Sequence, residues 1–128
     1  MAIVRIEILE GRPAGERKSL LDAVHAALTD ALKVPEDDAT LRVVEHSPDH
    51  CRLPPGKTER YTQIEIAMFA GRSLKAKHHL YRAIVQNLQA LGIQPDDVVI
   101  VLHESPLRNW ASGGVPASEQ DLGFRVDV

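Results

Sequence analysis

His46, His50 and Cys51 fall within six residues of one another, a grouping that could begin a metal site. Zinc sites use three or four ligands at recognised spacings. No second Cys/His cluster completes this one, so no metal is predicted. Cys51 is the only cysteine and has no base paired with it, which makes it a poor nucleophile. His78 and His79 are adjacent in a helical pattern and point in different directions, and His25 reads as a packed or half-exposed helix residue. The arginines say more. Gly11-Arg12 and Gly71-Arg72 each stand just ahead of an apolar helical pattern. Either Gly-Arg is a loop-to-helix signal that one fold needs twice, or a guanidinium stands where helix-start N–H groups also favour a carboxylate. Trp110, the only tryptophan, sits in a polar loop as a pocket wall or a buried anchor.

The elements that carry these residues come in two copies. Gly11-Arg12 aligns with Gly71-Arg72, and at the same shift Leu20 meets Leu80, Leu28 meets Leu88, Pro35 meets Pro95 and Asp37 meets Asp97. At that shift Asp38 meets Val98, so Asp38 is either a loop acid or a residue the shared fold does not require. Each half, 1–60 and 61–128, reads strand, helix, strand within one domain. Ala2 to Leu9 alternates, with Val4, Ile6 and Ile8 on one face and Arg5 and Glu7 on the other. Pro13 is placed at the first turn of the first helix, and Val34-Pro35 ends that helix. Leu41 to Val44 is the second strand. Thr62 to Phe69, a helix from about Ser73 to Leu91 stopped by Gly92, and Val98 to His103 repeat the plan. Val98 to Leu102 is apolar without alternation, which suits a strand covered on both faces. Two right-handed crossovers give a four-stranded α+β sheet with two helices on one face. The other face carries Ile3 and Leu9 beside Arg5 and Glu7, a mixed surface that invites other subunits.

Composition narrows the function. A net charge of -3 excludes the basic field of a nucleic-acid binder. Arg5 and Glu7 interrupt the first apolar run, so it is no signal peptide, and no run approaches the roughly 20 residues of a membrane span. A lone cysteine fits a reducing cytoplasm.

With these elements in place, ILEGR (Ile8 to Arg12), LLDAVHAAL, VPEDD (Val34 to Asp38), the Glu45-His46 pair, Gly71-Arg72-Ser73, HESPLRNW (His103 to Trp110) and SGGVPAS (Ser112 to Ser118) together resemble the tautomerase superfamily. Length and order are most similar to the malonate semialdehyde decarboxylase group, which fuses two 4-oxalocrotonate tautomerase-like halves. The resemblance implies a homotrimer without cofactors, acting on small oxo acids. It implies an N-terminal proline amine as acid or base and arginines on the substrate carboxylate. Residue 2 here is Ala2. Loss of Met1 would leave a primary amine, whose ordinary pKa is about 7.7–8.0, without the ring that fixes its direction. The Arg-x-Arg of the decarboxylases falls on Ala70 and Arg72, and the Arg-x-x-Arg of the cis-3-chloroacrylic acid dehalogenases on Phe69 and Arg72, so one arginine remains. Asp38 matches the decarboxylases' acidic partner of the amine.

The expected site is therefore Ala2 and Asp38 as catalytic residues, with Arg72, Arg12, Phe69 and Trp110 binding substrate. The expected function is weak or altered enol–keto or decarboxylase-like chemistry on 2-oxo acids. The alternative is an inactive trimer that binds a small carboxylate. A dimeric ferredoxin-like domain fits the element count but not the motifs.

Overall fold

A computed structural model describes residues 1–128. Strand β1 (Ala2–Leu9), helix α1 (Glu16–Leu32) and strand β2 (Ala39–His46) are followed by β3 (Thr62–Phe69), α2 (Leu74–Gln89) and β4 (Val98–Ser105). A short hairpin then pairs β5 (Ala111–Ser112) with β6 (Val115–Pro116). Its turn is Gly113-Gly114, both at positive φ, a conformation that glycine takes without steric cost.

The long strands form one sheet in the order β2-β1-β3-β4. The outer pairs are parallel, as helical crossovers require, and β1 meets β3 antiparallel with Ile6 opposite Ile64. Alternation sends Val4, Ile6, Ile64 and Ile66 to one face. There they are fully buried with Leu20, Val24 and Leu28 of α1 and Leu80, Ile84 and Leu88 of α2. Both helices share that face because both apolar stripes need the same cover. No helix is long and apolar enough to cross a membrane.

Helix ends differ from expectation. α1 starts at Glu16 behind a left-handed Gly15, and Pro13 lies ahead of it, its carbonyl accepting the Glu16 N–H at 3.2 Å. The helix stops at Leu32 with Lys33 at φ 57, before Pro35 can act. Gly92, at φ 83, holds the matching place after α2. Lys33 to Gly92 is a shift of 59, so the second half is one residue shorter near its helix end. The shift of 59 also pairs the first residues of β2 and β4, Ala39 and Val98. Asp38 therefore corresponds to Asp97 rather than Val98. Their amides confirm it, donating to Pro35 O and Gln94 O respectively, both at 3.0 Å. An acid before the second strand belongs to both halves, and the difference lies in what each carboxylate holds.

The second sheet face is open. Leu9 is not part of it as a free apolar group, being only 8% exposed. Most of the face is a polar ladder: Glu65 contacts His103 at 2.9 Å, Gln63 at 3.0 Å and Arg5 at 3.4 Å, and Glu7 contacts His46 at 3.1 Å. The His103 contact, then those from Gln63 and Arg5, hold the Glu65 carboxyl down at about 2. β4 is an edge strand. None of Val98 to Leu102 is fully buried, and Val101 is 38% exposed. The second cover that its unbroken apolar run demands is not supplied by this chain.

Candidate active site

Strand pairing brings the start of β1, the ends of β3 and β4, and the turn before β2 to one end of the sheet. Ala2 lies between Ala39 and Met68, and Phe69 lies beside Ser105. Ala2 is buried, and its N–H donates to the Asp38 carbonyl at 3.4 Å. The amino nitrogen, carried by Met1, is 2.9 Å from Asp38 Oδ2. In the other half the matching Asp97 accepts from the Thr58 N–H at 2.9 Å and from the Thr58 hydroxyl. One acid thus ties down the chain entering β3. Its twin faces the chain's amine at the entry to β1.

Aromatic and cationic groups gather at the same end of the sheet. The Phe69 ring meets Trp110 edge-on with centroids 5.0 Å apart and stacks on Phe124 at 6.5 Å. Trp110 is fixed by its Nε1–H, which donates to Ser105 O at 3.3 Å. The Arg72 guanidinium donates to Leu32 O, closing the end of α1, and lies 5.8 Å from the Phe124 centroid. Arg72 is 8% exposed, and its Nε is buried without a hydrogen-bond partner. Burial pulls its pKa below the usual arginine value, opposed by the charge of Asp127.

Arg12 does not join the group. It lies past the far end of β1, its guanidinium donating to Arg60 O at 2.8 Å, Tyr61 O at 2.9 Å and Thr62 Oγ1 at 2.9 Å, and pairing with Glu16 at 3.2 Å. Arg60 in turn donates to Leu91 O at 2.9 Å, where Arg72 serves α1. Gly-Arg is therefore used structurally in both halves, and only Arg72 follows the strand end that lies at the amine's end of the sheet. At that far end a small cavity of about 60 Å³ lies among Leu9, His46, Cys51, Tyr61 and Gln63. The shifts make Cys51 the twin of Trp110 and Tyr61 the twin of Met1. The chain runs on through Tyr61, so this end has no amine. No three metal-ligating side chains cluster anywhere.

Phe124 was not among the residues singled out from the sequence. Its signal was present: Leu122, Phe124, Val126 and Val128 are half-buried while Asp121, Gly123, Arg125 and Asp127 are exposed, the alternation of an extended strand with one face covered.

Relatives carry the same architecture. Two family models, each described as a tautomerase enzyme, match residues 38–113 and 3–54. The probable tautomerase YrdN of Bacillus subtilis (strain 168) is 25% identical over 119 residues, covering 88% of this chain and 92% of that protein. A malonate semialdehyde decarboxylase, solved in wild-type, mutant and inactivated forms to explain its decarboxylase and hydratase activities, is 30% identical. Its TM-score is 0.81, and the match covers 91% of this chain and 94% of that one. A fused 4-OT solved as a symmetric trimer shares the fold at 22% identity and a TM-score of 0.81, covering 91% of this chain and 96% of its own. With the first family model spanning more than half of the sequence, the chain belongs to the tautomerase family.

Proposed function

We propose that this protein, once Met1 is removed, catalyses slow enol–keto interconversion of small 2-oxo acids with the Ala2 amine and Asp38 as its acid–base pair. The observation that carries this is the place of the Ala2 nitrogen, which becomes the amine once Met1 is removed. It lies at a buried strand start, 3.4 Å from the Asp38 main-chain carbonyl, while the Asp38 carboxylate stands 2.9 Å from the Met1 nitrogen one residue away. As an ammonium, the amine delivers a proton to C3 of the enol. The enol hydroxyl proton leaves to Asp38 or water as the C2 carbonyl forms, and a further proton transfer restores the ammonium. One proton enters at carbon and one leaves oxygen, so the isomerisation balances. Arg72 is the group assigned to the substrate carboxylate, and Phe69 with Trp110 forms the apolar wall. Arg12 is assigned a structural role.

The same reading includes a homotrimer in a reducing cytoplasm. Its support is the uncovered apolar run of β4, together with the fold likeness to a protein solved as a trimer. A second reading, a carboxylate-binding trimer without catalysis, is favoured by one observation. While Met1 is present its amine takes Asp38, and Arg72 is engaged with Leu32 O.

The test is ketonisation of phenylenolpyruvate followed by ultraviolet absorbance, with Ala2→Pro alongside. A proline ring fixes the amine's direction, so the variant is expected to exceed the native chain by about tenfold or more, an effect of oriented acid–base catalysis. If neither exceeds buffer, the binding-only reading replaces this one.

A further inference from the structure

We propose that Leu122–Val128 is an internal strap that competes with the substrate carboxylate for Arg72, so that the site works at reduced affinity until the strap lifts. The proposal rests on Arg72 as the carboxylate-holding group of the reading above.

Three residues seat the strap, Phe124, Val126 and Val128. Phe124 lies between Arg72 and Phe69, 5.8 Å from the guanidinium and 6.5 Å from the other ring. The Val126 carbonyl crowds Gly71, where a Cβ would stand 3.3 Å from the oxygen. The Val128 main-chain oxygen accepts from the Ser73 hydroxyl at 2.7 Å and the Ser73 N–H at 3.3 Å. Asp127 supplies the negative charge that Arg72 feels. The strap thus places an aromatic ring beside the guanidinium and main-chain oxygens against Gly71 and Ser73, where an aryl or alkyl oxo acid would place its own side chain and carboxylate.

Arg72 is poorly satisfied in this arrangement. It is nine-tenths buried, has one protein acceptor, and leaves Nε without a partner. An unpaired buried donor is costly, and an incoming carboxylate would relieve it. The strap itself is weakly held. Its odd-numbered residues are exposed, and Arg125 and Asp127 pair mainly with each other at the surface, with side chains 75% and 66% exposed. Segments with few buried contacts open at low cost. A strap seated about nine-tenths of the time raises the apparent dissociation constant about tenfold, because ligand binds only the open fraction.

Trp110, beside Phe69, is the natural reporter. The experiment titrates 2-oxobutyrate against Trp110 fluorescence in the native protein, in Phe124→Ala, in a chain ending after Asp121, and in each with Arg72→Met added. Hydrogen exchange of residues 71–73 and 122–128 in the native protein, with and without the acid, gives a readout independent of variant folding. The expected result is about tenfold tighter binding in the strap variants, loss of binding with Arg72→Met, and faster exchange of the strap when acid is bound. Equal affinity in native and strap variants, with binding still dependent on Arg72 and exchange unchanged, overturns the strap and leaves the site reading standing. Binding that ignores Arg72→Met overturns both.

Discussion

Asp38→Asn is expected to lower kcat for phenylenolpyruvate ketonisation by about 100-fold or more, the ordinary contribution of a positioned acid–base group. Asparagine keeps the size and the hydrogen-bonding reach of the side chain but cannot accept a proton or balance an ammonium. The fold has little stake in this carboxylate. Its side chain is 37% exposed, and the Ala2 N–H is held by the Asp38 main-chain carbonyl, which the variant retains. The stability change should stay below about 1 kcal/mol, as for other exposed pairs. The measurement is steady-state kinetics beside thermal unfolding of both proteins. A rate within about threefold of native would remove Asp38 from the chemistry, since general acid–base roles contribute far more.

Arg12→Ala should do the reverse. Arg12 has a side chain only 3% exposed and bonds the backbone where the chain enters β3. Truncation leaves Arg60 O, Tyr61 O and the Thr62 hydroxyl short of a donor, and leaves Glu16 with Arg60 alone. Losing one member of a buried charged network costs about 3 kcal/mol. For a chain of this size that lowers Tm by on the order of 10 °C. Arg12→Lys should recover little, because a single ammonium cannot reach several acceptors in one plane. The check is circular-dichroism melting at fixed protein concentration, with kcat measured well below the transition. An unchanged Tm with a raised KM would return Arg12 to the substrate site, as the Gly-Arg repeat alone would allow.

Those two residues mark how far sequence carries the argument. The four strands and two helices were legible because apolar periodicity is local, and the repeat fixed their order. The grouping of Ala2, Asp38, Phe69, Arg72 and Trp110 followed from family resemblance, and sheet pairing places them at one end. Arg12 and Arg72 look alike in sequence. They separate only in space, because the antiparallel β1–β3 centre sends the two Gly-Arg turns to opposite ends of the sheet. The Asp38 counterpart was misread by one position. A one-residue difference at a helix end is invisible in a constant-shift comparison, and only strand pairing locates it. Phe124 was hidden for another reason: four alternating residues after a glycine-rich stretch do not declare what they cover. The open face of β4 shows the converse. Its apolar run demanded two covers, and the chain supplies one.

The most direct test of the central claim follows the amine itself. A preparation retaining Met1 is treated with an aminopeptidase, and the N-terminal peptide mass and the ketonisation rate are read in parallel. The account predicts a rate that rises in proportion to the fraction of chains beginning at Ala2, as the amine moves onto the buried strand start beside Asp38. A rate that stays flat while Met1 is lost would contradict it.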